Sequence, residues 1–391
     1  MQVLIVGAGI AGPTLAYWLL RGGHQPTLVE RAPELRKGGY LVDFWGAGFD
    51  VAERMGIVPE LRRRGYVMTE VRVVDGAGRR FTSFNPDAVL RSTERYVSIA
   101  RSDLAAVIYG SLDGRAELIL DDTVHALDDD GERVRATFES GQTRDFDLVV
   151  GADGLHSRVR RLVFGPDHRF ERAQNIVVAV YDIEGYRPRD ELIATMYAEV
   201  GFQVVRVSLR DDTTMVIVTA RHDGMVPTDD PVGQQSLLRD LLAGAGWETS
   251  ALLAAMPQAR TFYCDAVSQI RMPTWARGRV ALVGDAGACP SLLAGQGSAL
   301  AMVESYVLAA ELASSGDHRE AFARYHQRLA PLLLSKQDAA QGLGLAFAPR
   351  NRRQLLVRNI ALRLMGLPRV GDLVMGRSFH DAIELPSFVA A

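Results

Sequence analysis

Cys264 and Cys289 are the only cysteines in the chain. They lie far apart and without paired spacing, so they support neither a disulfide framework nor a zinc site. A reducing, cytoplasmic setting is expected. The histidines show no His-x-x-x-His spacing, and no metal is expected. Positive charge is not in surplus. Lys plus Arg is 44 and Asp plus Glu is 47, a formal net charge of −3, which gives no whole-chain attraction to nucleic acid. The local basic runs, Arg62 to Arg64 and Arg158, Arg160 and Arg161, read as solvated helix ends. No apolar run reaches the ~18 residues of a membrane span. The apolar N-terminus lacks a basic leader and is punctuated by Gly7, Gly9 and Gly12, so it reads as strand, turn and helix rather than a signal peptide.

What is present is ordinary globular composition, 48% hydrophobic and 23% charged, in a chain long enough for two packed domains. Val3 to Val6 is a β-branched strand, Pro13 to Leu20 an apolar helix, and Thr27 to Val29 a second strand. That series requires a parallel pair with a right-handed crossover, the opening of a doubly wound α/β domain. A helix is expected over 50–64 and another from Ser102 to Ser111. Strands follow at 117–120, 134–138 and 146–150, a small meander returning to the main sheet. From about 170 to 270, alternating segments predict an antiparallel sheet, with helices near 235–243 and 249–255. Val280 to Val283 is again a buried parallel-type strand, followed by a helix over 297–313. From His318 onward the chain reads as helical, broken at Pro331, Pro349 and Pro368.

The fold class is therefore a doubly wound, Rossmann-like α/β domain with a second α+β domain built on an antiparallel sheet. The first is discontinuous, taking 1–72, 98–170 and 277–345. The second takes 73–97 and 171–276, and 346–391 forms a C-terminal helical segment.

The clearest chemistry lies in Gly7-Ala8-Gly9-Ile10-Ala11-Gly12, between a strand and a helix, with Glu30 ending the next strand. Gly7 permits the tight turn, Gly9 lets backbone approach a pyrophosphate, Gly12 allows close helix packing, and the helix N-terminus favours the anion. Glu30 is placed to accept both hydroxyls of an adenosine ribose. FAD and NAD are both compatible with this site alone. Two later stretches decide between them: 147–160, which contains Gly151-Ala152-Asp153-Gly154, and Gly284-Asp285-Ala286 followed by Gly295-Gln296-Gly297.

With these motifs the chain resembles the group A flavoprotein monooxygenases, the p-hydroxybenzoate hydroxylase-like family, and in pattern the tetracycline-inactivating branch. The resemblance covers nearly the whole length. It implies FAD as cofactor, with Asp285 on the ribityl chain and backbone amides of Gly295, Gln296 and Gly297 at the isoalloxazine ring. It also implies Arg101 and Arg31 as FAD contacts, Asp153 between the pyrophosphate and the nicotinamide nucleotide, Asp43 as a cofactor contact after the Gly38-Gly39 pair, and Arg36 as a contact of NADPH or NADH. The family's Gly-Asp-Ala-Ala-His pattern is not kept. Ala288 stands at the histidine position and Pro290 comes early, which alters the wall above the ring and hence the substrate.

The cycle implied by the resemblance has NAD(P)H reduce the flavin and dioxygen add at C4a. The resulting hydroperoxide hydroxylates an aromatic or polyketide-like small molecule. No catalytic base is identifiable, since Gln203, Arg206 and His222 are scattered polar groups. Tyr197, Phe202 and Met215 suit a pocket wall or core packing, and Cys289 reads as packing. A dehydrogenase or reductase without oxygen insertion, and a ligand-sequestering flavoprotein, share the same FAD signatures.

Overall fold

The computed structural model describes residues 1–35, 40–85, 95–365 and 383–388. β1 (Gln2–Val6), α1 (Ala11–Arg21) and β2 (Gln25–Glu30) form the opening βαβ unit, with β1 and β2 paired in parallel. Val3, Leu4, Ile5, Leu28 and Val29 have no solvent exposure, as expected of strands covered on both faces. β3 (Leu41–Trp45) leads into α2 (Ala47–Arg54) and α3 (Val58–Arg64). The single helix expected over 50–64 is thus two. Gly56 adopts φ +73° and ends the first, and Pro59 starts the second.

The chain then crosses to β4 (Glu70–Val74) and β5 (Arg80–Phe84) and returns along β6 (Tyr96–Ala100), which pairs antiparallel with β3. α4 (Arg101–Gly110) and β7 (Glu117–Leu120) follow. β8 (Val124–Asp129), β9 (Val134–Phe138) and β10 (Thr143–Phe146) make a three-stranded meander, and β11 (Leu148–Gly151) re-enters the main sheet, followed by α5 (Arg158–Phe164).

The middle of the chain gives β12 (Glu171–Glu184), β13 (Ile193–Glu199), β14 (Phe202–Ser208), β15 (Thr213–Arg221), α6 (Pro231–Leu241), α7 (Thr249–Ala255) and β16 (Thr261–Ile270). These strands and the β4–β5 hairpin form a seven-stranded sheet of order β16-β12-β15-β14-β13-β4-β5. All its pairings are antiparallel except β13 with β4. β17 (Ala276–Arg277) and β18 (Val280–Leu282) then complete the first sheet, of order β17-β18-β11-β1-β2-β7.

α8 (Asp285–Ala288), α9 (Gly297–Ser314), α10 (His318–Phe347) and α11 (Arg352–Met365) close the described fold. α9 is buried without interruption from Ala299 to Leu312, the pattern of a helix enclosed on all sides. α10 runs through Pro331, contrary to the expected break. Ala321, Phe322 and Tyr325 before the proline and Leu329 and Leu333 around it are buried in one core cluster. That anchoring on both sides offsets the ~3 kcal/mol a helical proline costs. Pro349 lies just past the end of α10, as expected, and Pro368 falls outside the described residues. Among the described residues, no helix is long and apolar enough to cross a membrane.

Candidate FAD and substrate site

The turn after β1 explains its glycines atom by atom. Gly7 has φ +106°, and a Cβ there would stand 2.5 Å from the carbonyl oxygen of Ala152. A Cβ on Gly12 would collide with the carbonyl oxygen of Gly7. Both positions therefore hold β1, α1 and β11 together at backbone distance. Gly9 differs. Among the described residues other than its chain neighbours, the one atom within 4 Å of a Cβ there is the Arg101 guanidinium Nη2, at 3.8 Å. Gly9 thus leaves open space in front of the α1 N-terminus, with a cation at its far side, as an anionic pyrophosphate needs. Ile10 and Ala11 are buried at the head of α1. Glu30, at the end of β2, accepts the Ala8 amide on Oε2 (2.9 Å) and the Ala32 amide on Oε1 (3.1 Å), fixing the carboxylate beside the turn. Arg31 is exposed one residue further on.

β18 delivers the second element. Gly284 (φ +63°) approaches Ala11 and Ala301, with 3.3 and 3.4 Å from its Cβ position to theirs, so α9 and α1 meet at this residue. Asp285 follows, its Oδ1 3.8 Å from the Cβ position of Gly297 at the start of α9. Between them, Ser291 caps the short turn 292–294 by accepting the Leu293 amide (3.2 Å). Gly295 is left-handed at φ +67°. Gln296 is 4% exposed, and its Nε2 has no partner among the described residues. A buried amide donor without an acceptor costs free energy unless a ligand satisfies it, and a flavin ring edge offers carbonyl and ring-nitrogen acceptors.

Gly9 with Arg101, the Ala8 amide with Glu30, Gly284 with Ala11 and Asp285 with Gly297 thus bring the motifs named in the sequence side by side. The remaining candidates stand differently. Asp43 lies on β3, where its Oδ1 accepts the Tyr96 hydroxyl (2.6 Å) and the Ser98 hydroxyl (2.9 Å) across the ladder. Asp153 caps α5, accepting Ser157 Oγ (2.5 Å) and the amides of Arg158 (2.7 Å) and Val159 (3.1 Å). Burial pushes its carboxyl up while these donors pull it down. Arg36 and the Gly38-Gly39 pair lie outside the described residues.

Arg160 was missed. Read in the sequence as part of a solvated run, it is 1% exposed. Its guanidinium bonds Leu155 O (2.7 Å), Ala286 O (2.9 Å) and Asp167 (2.7 Å). It thereby ties the Asp153 turn to the Asp285 helix. Its neighbours Arg158 and Arg161 keep a solvated character, paired with Glu139 and Asp167. The available signal was spacing, since Arg160 falls three residues after the capping Ser157.

A second polar group was also invisible in the sequence. His156 Nε2 lies 2.8 Å from Asp265 Oδ2, and Tyr263 Oη donates to the same oxygen at 3.3 Å. Asp265 raises the His156 pKa above its usual value. Burial chiefly raises that of Tyr263.

The face of the seven-stranded sheet turned toward the loop is apolar. Ile176, Val178, Val180, Val205, Val207 and Met215 form one cluster with Leu293, against which Leu292, Tyr40 and Tyr263 pack. Tyr40 and Tyr263 have ring centroids 5.9 Å apart. Of the three pocket-wall candidates, Met215 belongs to this face, whereas Tyr197 and Phe202 pack in the cluster on the opposite side. Cys289 is buried, with Sγ 3.7 Å from Ser268 O, and burial holds its thiol well above the usual range. It is packing, not a nucleophile. Ala288 is likewise buried at 2%.

Comparison with known proteins agrees with this arrangement. Residues 1–332 match the family described as FAD binding domain. A flavin-dependent monooxygenase from an unknown prokaryotic organism is 35% identical over 99% of this chain and 99% of its own. An uncharacterised protein of Mycobacterium tuberculosis is 39% identical over 83% of this chain and 88% of its own. Among solved structures, tetracycline destructase Tet(55) superimposes with a TM-score of 0.85 at 34% identity, covering 99% of this chain and 98% of its own. With residues 1–332 matching an FAD binding domain and similarity from end to end to flavin-dependent monooxygenases, the chain belongs to the FAD-binding-domain family as an FAD-dependent monooxygenase.

Proposed function

We propose that the chain inserts oxygen into an aromatic or polyketide-like small molecule held between the Ser291–Gly297 loop and the apolar face of the seven-stranded sheet, with NADPH or NADH as electron donor. The observation that carries this is the shared cluster of Leu293 with Ile176, Val178, Val205 and Met215. It seats the loop on an apolar face of the sheet, and a flat, hydrophobic substrate taken up beside that contact gains by leaving water. The likeness to Tet(55) supports a polycyclic substrate.

FAD, when bound, supplies electron acceptance from the nicotinamide donor and the activation of dioxygen. The residues present fit it. Glu30 accepts ribose hydroxyls, the Gly7–Gly12 turn and the α1 N-terminus take the pyrophosphate, and Arg101 supplies a cation beside Gly9. Asp285 would hold the ribityl chain, while the Gly295–Gly297 amides and the Gln296 Nε2, unpartnered among the described residues, would hold the ring. Arg31, Asp43 and Asp153 are assigned to the outer parts of the cofactor site, and Arg36 to the nicotinamide donor. On this reading 1–72, 98–170 and 277–345 carry the cofactor, and 73–97 with 171–276 carry the substrate wall.

Purified protein is expected to be yellow. Its flavin should bleach on anaerobic NADPH addition and yield, on aeration with a phenolic or polyketide substrate, a product heavier by one oxygen. Bleaching with no oxygenated product from any panel member would favour a reductase. Inability to take up FAD would overturn the reading.

A further inference from the structure

A cavity of about 320 Å3 opens where the start of β12, the ends of β15 and β16 and the last turns of α10 meet, lined by Arg172, Gln174, Arg221, Gln269, Gln341 and Arg350 among others. Among the described residues, no carboxylate lines it. Arg221 donates only to neutral carbonyls, Nε to Ala348 O at 2.8 Å and Nη2 to Gly344 O at 3.5 Å. Arg172 donates to Glu171 O at 2.9 Å. The contrast is Arg271 nearby, which is paired with Asp338 at 2.8 Å. Burial and the like charge of Arg350 both hold the Arg221 guanidinium below the usual arginine range, a strain that an anion would relieve. One further donor is free. Gln174 Oε1 accepts Ser291 Oγ (3.0 Å), but its Nε2 is buried without a partner.

Guanidinium groups with no counter-ion among the described residues, together with an amide N–H without an acceptor there, make the pocket rich in donors and positive in charge, and such a pocket is complementary to an oxyanion. We propose that this cavity is a binding site for a carboxylate or phosphoryl group, with Arg221 and Arg350 as charged donors and the Gln174 amide as the third. Its position gives it a consequence for the cleft. Gln174 holds Ser291, and Ser291 caps the turn that precedes Gly295–Gly297, so an anion seated on Gln174 braces the loop at the cofactor ring. The site stands independently of which aromatic compound is oxygenated. Its anion is either the phosphate of the nicotinamide donor or an acid group on a small molecule.

The test is isothermal titration of the FAD-loaded full chain with inorganic phosphate, 2′,5′-ADP, 5′-AMP and benzoate, repeated on Arg221→Gln, Arg221→Lys and Arg350→Gln. At least one probe is expected to bind the parent protein and to weaken about tenfold or more in both glutamine variants, with partial recovery in Arg221→Lys. A preference for 2′,5′-ADP over 5′-AMP that the variants lose supports the site and names the nucleotide phosphate as its source. Benzoate binding that the variants lose supports the site and names a carboxylate. Arg350 is exposed, so Arg350→Gln keeps the fold and reports even if Arg221→Gln does not. Absence of binding by every probe, or equal binding to the parent and Arg350→Gln, overturns the proposal.

Discussion

Arg160 donates from Nη1 to the carbonyl oxygen of Ala286 at 2.9 Å, across 126 residues of sequence. The bond joins α5 to the helix that begins with Asp285, and Asp167 and Leu155 O hold the rest of the guanidinium. Replacing Arg160 by Met leaves the Leu155 and Ala286 carbonyls without this donor, while Asp167 keeps Arg161 at 3.0 Å. Urea unfolding is expected to show a loss of about 1–3 kcal/mol, the cost of leaving buried carbonyl acceptors unsatisfied. A loss under 1 kcal/mol would show that the bridge is dispensable.

Two glycines of one motif should fail in different ways. Gly12 meets backbone, so Gly12→Ala strains the α1–β1 contact and lowers stability whether or not cofactor is present. Gly9 faces open space, so Gly9→Val should leave the apoprotein's melting temperature near the parent value while FAD affinity falls about tenfold to a hundredfold, by occupying the volume a pyrophosphate needs. Fluorescence titration of apoprotein with FAD separates the two. Equal FAD affinity in Gly9→Val and parent would remove the pyrophosphate assignment.

Glu304 gives a pH dependence with a definite sign. It is fully enclosed on α9, accepts the Gly284 amide at 2.7 Å and the Tyr325 hydroxyl at 3.3 Å, and burial pushes its carboxyl up to about 8 from 4.5. The folded state therefore keeps a proton that the unfolded chain gives up. Its contribution is complete below the unfolded value and declines as pH rises through the folded one, by up to about 1.4 kcal/mol per pH unit across the window. Glu304→Gln removes that slope, and its stability relative to the parent should rise between pH 5 and pH 8. Parallel stability curves for the two proteins would refute it.

His156 has the same sign, through a charge pair rather than through burial. Asp265 stabilises its protonated form, so the ion pair strengthens folding below the unfolded histidine value and loses effect as pH rises through the folded one. Half-exposure of the ring keeps the stability effect small. Asp265→Asn should move the His156 titration to lower pH in an NMR experiment. An unchanged midpoint would show that the pair is not formed in solution.

The parts of the site legible in the sequence are those where backbone geometry dictates residue type. Gly7 needs a positive φ and Gly12 a missing Cβ, so the first turn could be read directly, as could β18 with Gly284 and Asp285. What could not be read depends on distant packing. Arg160 looks like any helix-end arginine until the Ala286 carbonyl is brought to it. Pro331 signals a break unless Phe322, Tyr325 and Leu333 are known to be buried together. Asp43 was named as a cofactor contact by pattern, yet two hydroxyls on β6 also claim its carboxylate. Met215 and Tyr197 look alike in alternating strands, and only the direction of each strand's pleat puts Met215 on the side of the cleft.

The order of strands in the first sheet, with β11 and β18 beside β1, also sets a timetable. The αβ unit that opens the chain is synthesised first, but the partner it needs on one side arrives with Leu148–Gly151, and the aspartate with its helix only after Leu282. A nascent chain has to wait with its first sheet unfinished until about three quarters of its 391 residues have emerged. On the proposed assignment of Asp285 and Gly295–Gly297 to the cofactor, loading is a late event in biosynthesis, and a ribosome stalled before Gly284 would carry a chain that has yet to turn yellow.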